Sequence, residues 1–165
     1  FGRGPEENYC DRNNGTLVGE YRSTAEQMYY PYIRPQENGH HTDTRWLTLK
    51  QKNGKGLTVY ADSTLEFNSL RNSVEDFDGE EATNRDYQWN NRDAEELKHD
   101  ISTAKDIKPR QTHINDITPR DFVEVCLDMR QMGVGGFDSW GSIPDPQYLI
   151  PANKEYRWGF TIVPM

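Results

Sequence analysis

Cysteine, aliphatic residues and positive charge are all scarce in this sequence of 165 residues. The 2 cysteines, Cys10 and Cys126, are too few for a disulfide framework. Two free thiols are the expected state, with a Cys10–Cys126 bridge as the alternative. Acidic residues outnumber basic ones, giving a net charge of -8 and a pI near 5.0. Phosphates would be repelled by such a surface, which argues against nucleic acid as a partner. No apolar run approaches the ~18 residues that a membrane-crossing helix needs, so no membrane partner is expected. Paired carboxylates in a catalytic setting are missing too. Glu6-Glu7, Glu80-Glu81 and Glu95-Glu96 are adjacent pairs in loop or helix-start contexts and read as solvated. His40 and His41 are neighbours that an extended chain points to opposite faces, which makes joint metal ligation the weaker reading.

Hydrophobic residues make up only 33% of the chain and its mean hydropathy is -1.00, low for a self-sufficient globule. Aromatics compensate: 4 Trp and 9 Tyr argue against disorder and for a β-rich fold. The chain opens on Phe1-Gly2-Arg3-Gly4-Pro5, which reads like the end of a strand entering a turn. We therefore expect a piece of a longer chain, with surfaces that meet other domains.

Along the chain, Leu17 to Arg22 reads as a short strand and Ala25 to Tyr30 as a helical turn stopped before Pro31. A hairpin is expected from Trp46–Gln51 and Leu57–Ala61 around Lys52-Asn53-Gly54-Lys55-Gly56. Leu47, Leu49, Leu57, Val59 and Ala61 face the core, with Thr58 and Lys50 outward. Leu65–Asn68 reads as a further strand. Residues 72–92 read as an exposed acidic loop, in which a cation site at Asp76, Asp78 and Glu80 is the weaker alternative. Asp93 and Glu96 suggest a capping box opening a short helix to about His99. A strand is expected around Gln111–Asn115. Period-two alternation predicts another over Phe122–Met129, and a last one placing Tyr156, Trp158, Phe160 and Ile162 on one face.

The strand at Phe122–Met129 delivers Arg130-Gln131-Met132-Gly133-Val134-Gly135-Gly136-Phe137-Asp138-Ser139-Trp140-Gly141. Its three glycines within four residues permit turn conformations that a Cβ would forbid. An acid, a hydroxyl and an indole come next. An indole held over a cleft suits the C–H face of a sugar ring, with polar neighbours for its hydroxyls. Taken alone, these residues slightly favour a tight turn with Trp140 packed in a core.

Four blocks taken together resemble the C-terminal region of the large β-galactosidases of glycoside hydrolase family 2. They are Gly2–Arg12 (Gly-Arg-Gly-Pro-Glu-Glu-Asn-Tyr-Cys-Asp-Arg), Pro31–Gly39 (Pro-Tyr-Ile-Arg-Pro-Gln-Glu-Asn-Gly), Thr42–Leu47 and Arg130–Gly141. Two positions depart from the family: Cys10 stands where it usually has Pro, and Phe137 where it usually has a second Asp. The resemblance implies an all-β fold in the main, a large antiparallel β-sandwich of the galactose-mutarotase-like supersandwich type. Residues 1–165 would be its single C-terminal domain, with one short helix. It further implies that Trp140 reaches into an active site built by a neighbouring barrel domain and helps bind the sugar, with Asp138 and Ser139 beside it. Arg34, Glu37 and Asn38, and with them Gly135 and Gly136, would belong to loops supporting that site. No catalytic residue, metal ligand or cofactor is implied in this domain. Both catalytic glutamates lie in the barrel, and the parent enzymes often use a divalent cation bound elsewhere.

The expected partners are thus a β-galactoside or galactose and the other domains of the parent chain. A homo-oligomer is compatible with this, and so is either the bacterial cytoplasm or the periplasm. The chain alone is expected to be inactive. The competing readings are a free-standing carbohydrate-binding module, with Trp140, Tyr32 and Trp46 as its platform, and a purely structural scaffold between domains.

Overall fold

The computed structural model describes residues 1–77, 113–136 and 141–165. The chain divides into two compact units, one of residues 1–30, 38–70 and 124–165, the other of 31–37 and 71–123. All strands among the described residues are antiparallel and lie in the first unit, which is all-β in character.

Strands β1 (Gly2–Gly4) and β2 (Leu17–Gly19) form a two-stranded ribbon. The second is shorter than the Leu17–Arg22 run expected, because Tyr21 folds back and donates its hydroxyl to Leu17 O at 2.9 Å. The helical turn is present as α1 (Ala25–Met28), started by a capping box between Thr24 and Gln27.

The larger sheet is built on a hairpin of β3 (His41–Lys50) and β4 (Gly56–Leu70). Its turn closes through Gln51 N–H to Lys55 O and Gly54 N–H to Gln51 O, with Gly54 at φ +88°, where a side chain would be strained. Leu65–Asn68 is not a separate strand but the far half of β4. The register explains why: it shifts between Thr44↔Leu65 and Trp46↔Tyr60, so one strand absorbs the extra residues without ending. Strand β5 (Glu124–Asp128) pairs with Glu66–Leu70, and β6 (Phe160–Pro164) with Leu57–Ala61. Both are shorter than the alternation suggested, and β6 starts four residues after Tyr156.

The core sits on one face of this sheet. Leu47, Val59 and Leu65 are buried, with Leu49, Leu57, Ala61, Phe67 and Leu127 packed against them. Period two thus placed the aliphatic residues correctly and set Thr58 on the opposite face, though not in solvent. That residue is buried on the other face, where its hydroxyl meets Thr48 Oγ1 at 2.9 Å and Met165 Sδ at 3.5 Å. With so small a cluster, one side chain carries weight. Leu65→Ala is expected to cost about 2–5 kcal/mol, the usual range for emptying a buried leucine site. A urea titration of wild type and variant side by side checks this; an unshifted midpoint would refute it.

In the second unit the acidic stretch does not begin as a solvated loop. Asn72, Ser73 and Asp76 are buried, and Val74–Phe77 forms α2. The Asp76 carboxylate accepts from Ser73 N–H, Asn72 Nδ2 and the Arg120 guanidinium through both Nε and Nη2. Arg120 beside it holds this carboxyl far below the usual carboxylate range, helped by the Ser73 and Asn72 bonds against the cost of burial. Its oxygens are therefore occupied by protein donors rather than free for a cation; Asp78 and Glu80 lie outside the described residues. So does the predicted helix at Asp93–His99. Where a strand was expected near Gln111–Asn115, Ile114–Asp116 is a 3-10 turn, because Asp116 Oδ2 captures His113 N–H at 3.0 Å.

Candidate functional site

The glycine corner leaves the sheet three residues after β5 ends, and its backbone is held at nearly every step. Gln131 N–H donates to Glu66 Oε2 at 2.7 Å and Gly133 N–H to Tyr148 O at 2.9 Å. Val134 N–H and Gly135 N–H donate to the two oxygens of Asp11, at 3.2 and 2.9 Å. Glycine at 133 makes that approach possible: a Cβ there would lie 2.6 Å from Asp11 Oδ2 and 2.9 Å from Tyr148 Cβ. Gly135 and Gly136 have φ of +64° and +85°, the left-handed region that disfavours side chains.

This geometry limits what the corner can do. Glycine-rich loops often cradle phosphates with free backbone N–H groups. Here the N–H groups of 131, 133, 134 and 135 are already spent on the protein, three of them on the carboxylates of Glu66 and Asp11. Those four N–H groups are therefore not available to an anion.

Asp11 reaches the corner from the loop Gly2–Arg12, which ties together blocks far apart in sequence. Glu7 Oε2 accepts Gly39 N–H at 2.7 Å, while Glu7 Oε1 pairs with Arg12 at 3.3 Å. Asn8 is fully buried: its N–H donates to His40 O at 2.7 Å and its Oδ1 accepts Thr42 N–H at 3.0 Å. Tyr9 stacks on His40 with ring centroids 5.3 Å apart, and the Arg12 guanidinium lies over the Tyr9 ring, 5.3 Å from its centroid. Three of the four blocks thus meet at one loop, together with the Asn38-Gly39 end of the fourth.

Beneath the corner, Glu66, Asn68, Cys126 and Asp128 share the polar face of the sheet, alternating with the core residues Leu65, Phe67 and Leu127. His40, with no exposed surface, sets Nε2 2.9 Å from Glu66 Oε2. Burial pushes the Asp128 carboxyl upward; nearby His40 opposes this and Glu66, its cross-strand partner, reinforces it. Burial likewise raises the Cys10 thiol, whose Sγ donates to Gln131 O at 3.4 Å. Both cysteines are free thiols. Among the described residues no three His, Cys, Asp or Glu side chains gather to hold a metal ion, and no helix is long and apolar enough to cross a membrane.

Of the residues singled out by sequence, Gly135 belongs to this held corner and Gly136 comes directly after it. Asn38 is buried beside Gly39, whose N–H Glu7 accepts, and its own Oδ1 accepts Tyr30 N–H at 3.1 Å. Arg34 and Glu37 belong to the other compact unit, where Gln36 Nε2 donates to Arg34 O at 3.1 Å. Asp138, Ser139 and Trp140 lie outside the described residues. Trp46, a candidate sugar platform, is half-buried with Phe1 6.4 Å away. Sequence reasoning passed over Asp11 and Glu66 as holders of the corner, and over His40, which touches Glu66, and Asn8, which ties the loop to Thr42. A buried-strand acid such as Glu66, flanked by Leu65 and Phe67, was the available signal.

The comparison with known proteins matches this organisation. The family described as β-galactosidase small chain matches residues 1–162. A β-galactosidase of Priestia megaterium is 30% identical over 165 residues, the whole of this chain and 13% of its own length. One from Streptococcus thermophilus is 30% identical over 166 residues, with the same coverage. One from Bifidobacterium adolescentis is 33% identical over 162 residues, 93% of this chain and 12% of its own. The chain thus spans about an eighth of the curated relatives it matches. With nearly its full length matched, the chain belongs to the β-galactosidase small-chain family.

Proposed function

We propose that this chain is the C-terminal domain of a retaining β-galactosidase and completes a sugar site whose catalytic groups lie elsewhere in the parent protein. Retention needs two carboxylates about 5–5.5 Å apart across the glycosidic bond, one as nucleophile and one as acid/base. In this reading the neighbouring barrel provides both, and the present chain provides Trp140 as a stacking surface, with Asp138 and Ser139 near the sugar hydroxyls. The observation that supports it is the corner itself: two carboxylates, Asp11 and Glu66, hold the backbone that leads directly into Asp138-Ser139-Trp140. So many bonds to so few residues suit a loop whose exit must be placed accurately.

The test is Trp140→Ala in the full enzyme. Loss of one aromatic–sugar contact should raise KM for a nitrophenyl galactoside about tenfold, equivalent to roughly 1.4 kcal/mol. The thermal midpoint should stay near wild type. Unchanged kinetics would remove the tryptophan from the site. The chain by itself is expected to hydrolyse nothing, and turnover by it would contradict the division of labour proposed here.

A scaffold role is favoured by a separate observation and coexists with the first. Trp158, Phe160 and Ile162 leave 39–51% of their surface exposed along and just before the last strand. Apolar surface of this kind suits contact with other domains of a parent chain.

A further inference from the structure

The corner has two anchors, and the nearer one is unusual in being buried and shared. Glu66 Oε2 accepts Gln131 N–H at 2.7 Å and lies 2.9 Å from His40 Nε2. The His40 ring is fully buried and stacked on Tyr9. Its Nδ1 has no hydrogen-bond partner among the described residues. A buried bare acceptor costs less than a buried unpaired N–H, so the ring proton belongs on Nε2, where it points at Glu66. Bonds to an ionised carboxylate are roughly twice as strong as neutral ones, which makes Glu66 an effective clamp. Gln131 is only three residues beyond the end of β5, so its orientation sets the angle at which the chain leaves the sheet.

We propose that His40 and Glu66 are positioning residues: His40 Nε2–H orients Glu66, which holds Gln131 N–H and so sets the direction in which the glycine corner leaves the sheet. The proposal rests on the reading that the corner delivers Trp140 to the sugar. Asp11 still holds residues 134 and 135 when Glu66 is lost. The corner then survives with its exit misdirected, and the loss appears in substrate binding.

A double-mutant cycle in the full-length enzyme tests this. Glu66→Ala should raise KM for nitrophenyl galactoside about tenfold, with kcat changed less than about threefold. Glu66→Gln, which keeps an oxygen acceptor for Gln131 N–H, should recover most of the loss. In a Trp140→Ala background, Glu66→Ala should add less than about twofold, because the group it positions is gone. Effects that multiply in full would overturn the positioning role. If Trp140→Ala alone leaves KM unchanged, the underlying reading fails and the proposal with it. Should Glu66→Ala show no cooperative melt, His40→Phe replaces it in the cycle, since it keeps a ring against Tyr9 but removes the donor. It should raise KM about threefold alone and have no effect beside Trp140→Ala; a multiplicative result would again overturn the idea.

Discussion

Asp11→Ala in the full-length enzyme is expected to raise KM for a galactoside about tenfold, as much as Trp140→Ala itself, because a clamp can cost no more than the contact it positions. Each hydrogen bond to a charged group contributes about 1.5–3 kcal/mol, and Asp11 makes two to the corner, at Val134 and Gly135. Losing about 1.4 kcal/mol of that from the bound geometry corresponds to the predicted factor. Gly133→Ala should act in the same direction through space. Its Cβ would stand 2.6 Å from Asp11 Oδ2 and 2.7 Å from Cγ, so the carboxylate must withdraw from the corner. Gly15→Ala is the control, because a Cβ there meets nothing within 4 Å. Initial-rate kinetics on the three variants decide the matter. If Asp11→Ala and Gly15→Ala have equal KM, the corner does not depend on its clamp.

Asp11 also shows where sequence reading stopped. Its block was recognisable, and so was the corner it serves, but neither indicates that one grips the other 123 residues away. Local patterns have a range of a few residues. The hairpin turn at Gln51–Gly56 and the apolar face of Leu47, Leu49, Leu57 and Val59 were legible because period two and turn chemistry are local. Thr58 and Asp76 were read as exposed for the opposite reason. Their burial depends on Thr48 and Met165 in one case and on Arg120 in the other, partners remote in the chain. The apparent break between Ala61 and Leu65 was misread because the partner strand shifts register there. Composition could announce a polar chain; only the fold shows that much of its polarity is buried and bonded.

Asn8→Ala is expected to give the largest loss of stability, about 3–5 kcal/mol, since it strands the buried N–H and hydroxyl of Thr42, at about 1–3 kcal/mol each, and removes two part-buried bonds besides. The Asn8 amide uses its full capacity. Nδ2 donates to Arg3 O at 3.3 Å and Glu6 O at 3.1 Å, while Oδ1 accepts from Thr42 N–H and Thr42 Oγ1. Asn8→Asp separates the donor side from the acceptor side without changing shape. Its carboxylate keeps both Thr42 bonds but sets an anionic oxygen against two carbonyl oxygens. Protonation relieves this, as the acid O–H donates to one of them. The folded-state pKa of the new Asp therefore rises above its unfolded value, and the folded protein binds the extra proton more tightly. The penalty is smallest below the unfolded carboxylate range, near pH 4, and grows as pH climbs through the raised folded value. The penalty of Asn8→Ala has no such slope. Thermal melts of both variants against wild type, taken as differences at each pH from 4 to 8, distinguish them. A flat difference for Asn8→Asp, or wild-type stability at pH 7, would mean that the amide donors do not hold the loop. The predicted slope would identify the Asn8 amide as the tie between the loop's own carbonyls and β3 at Thr42.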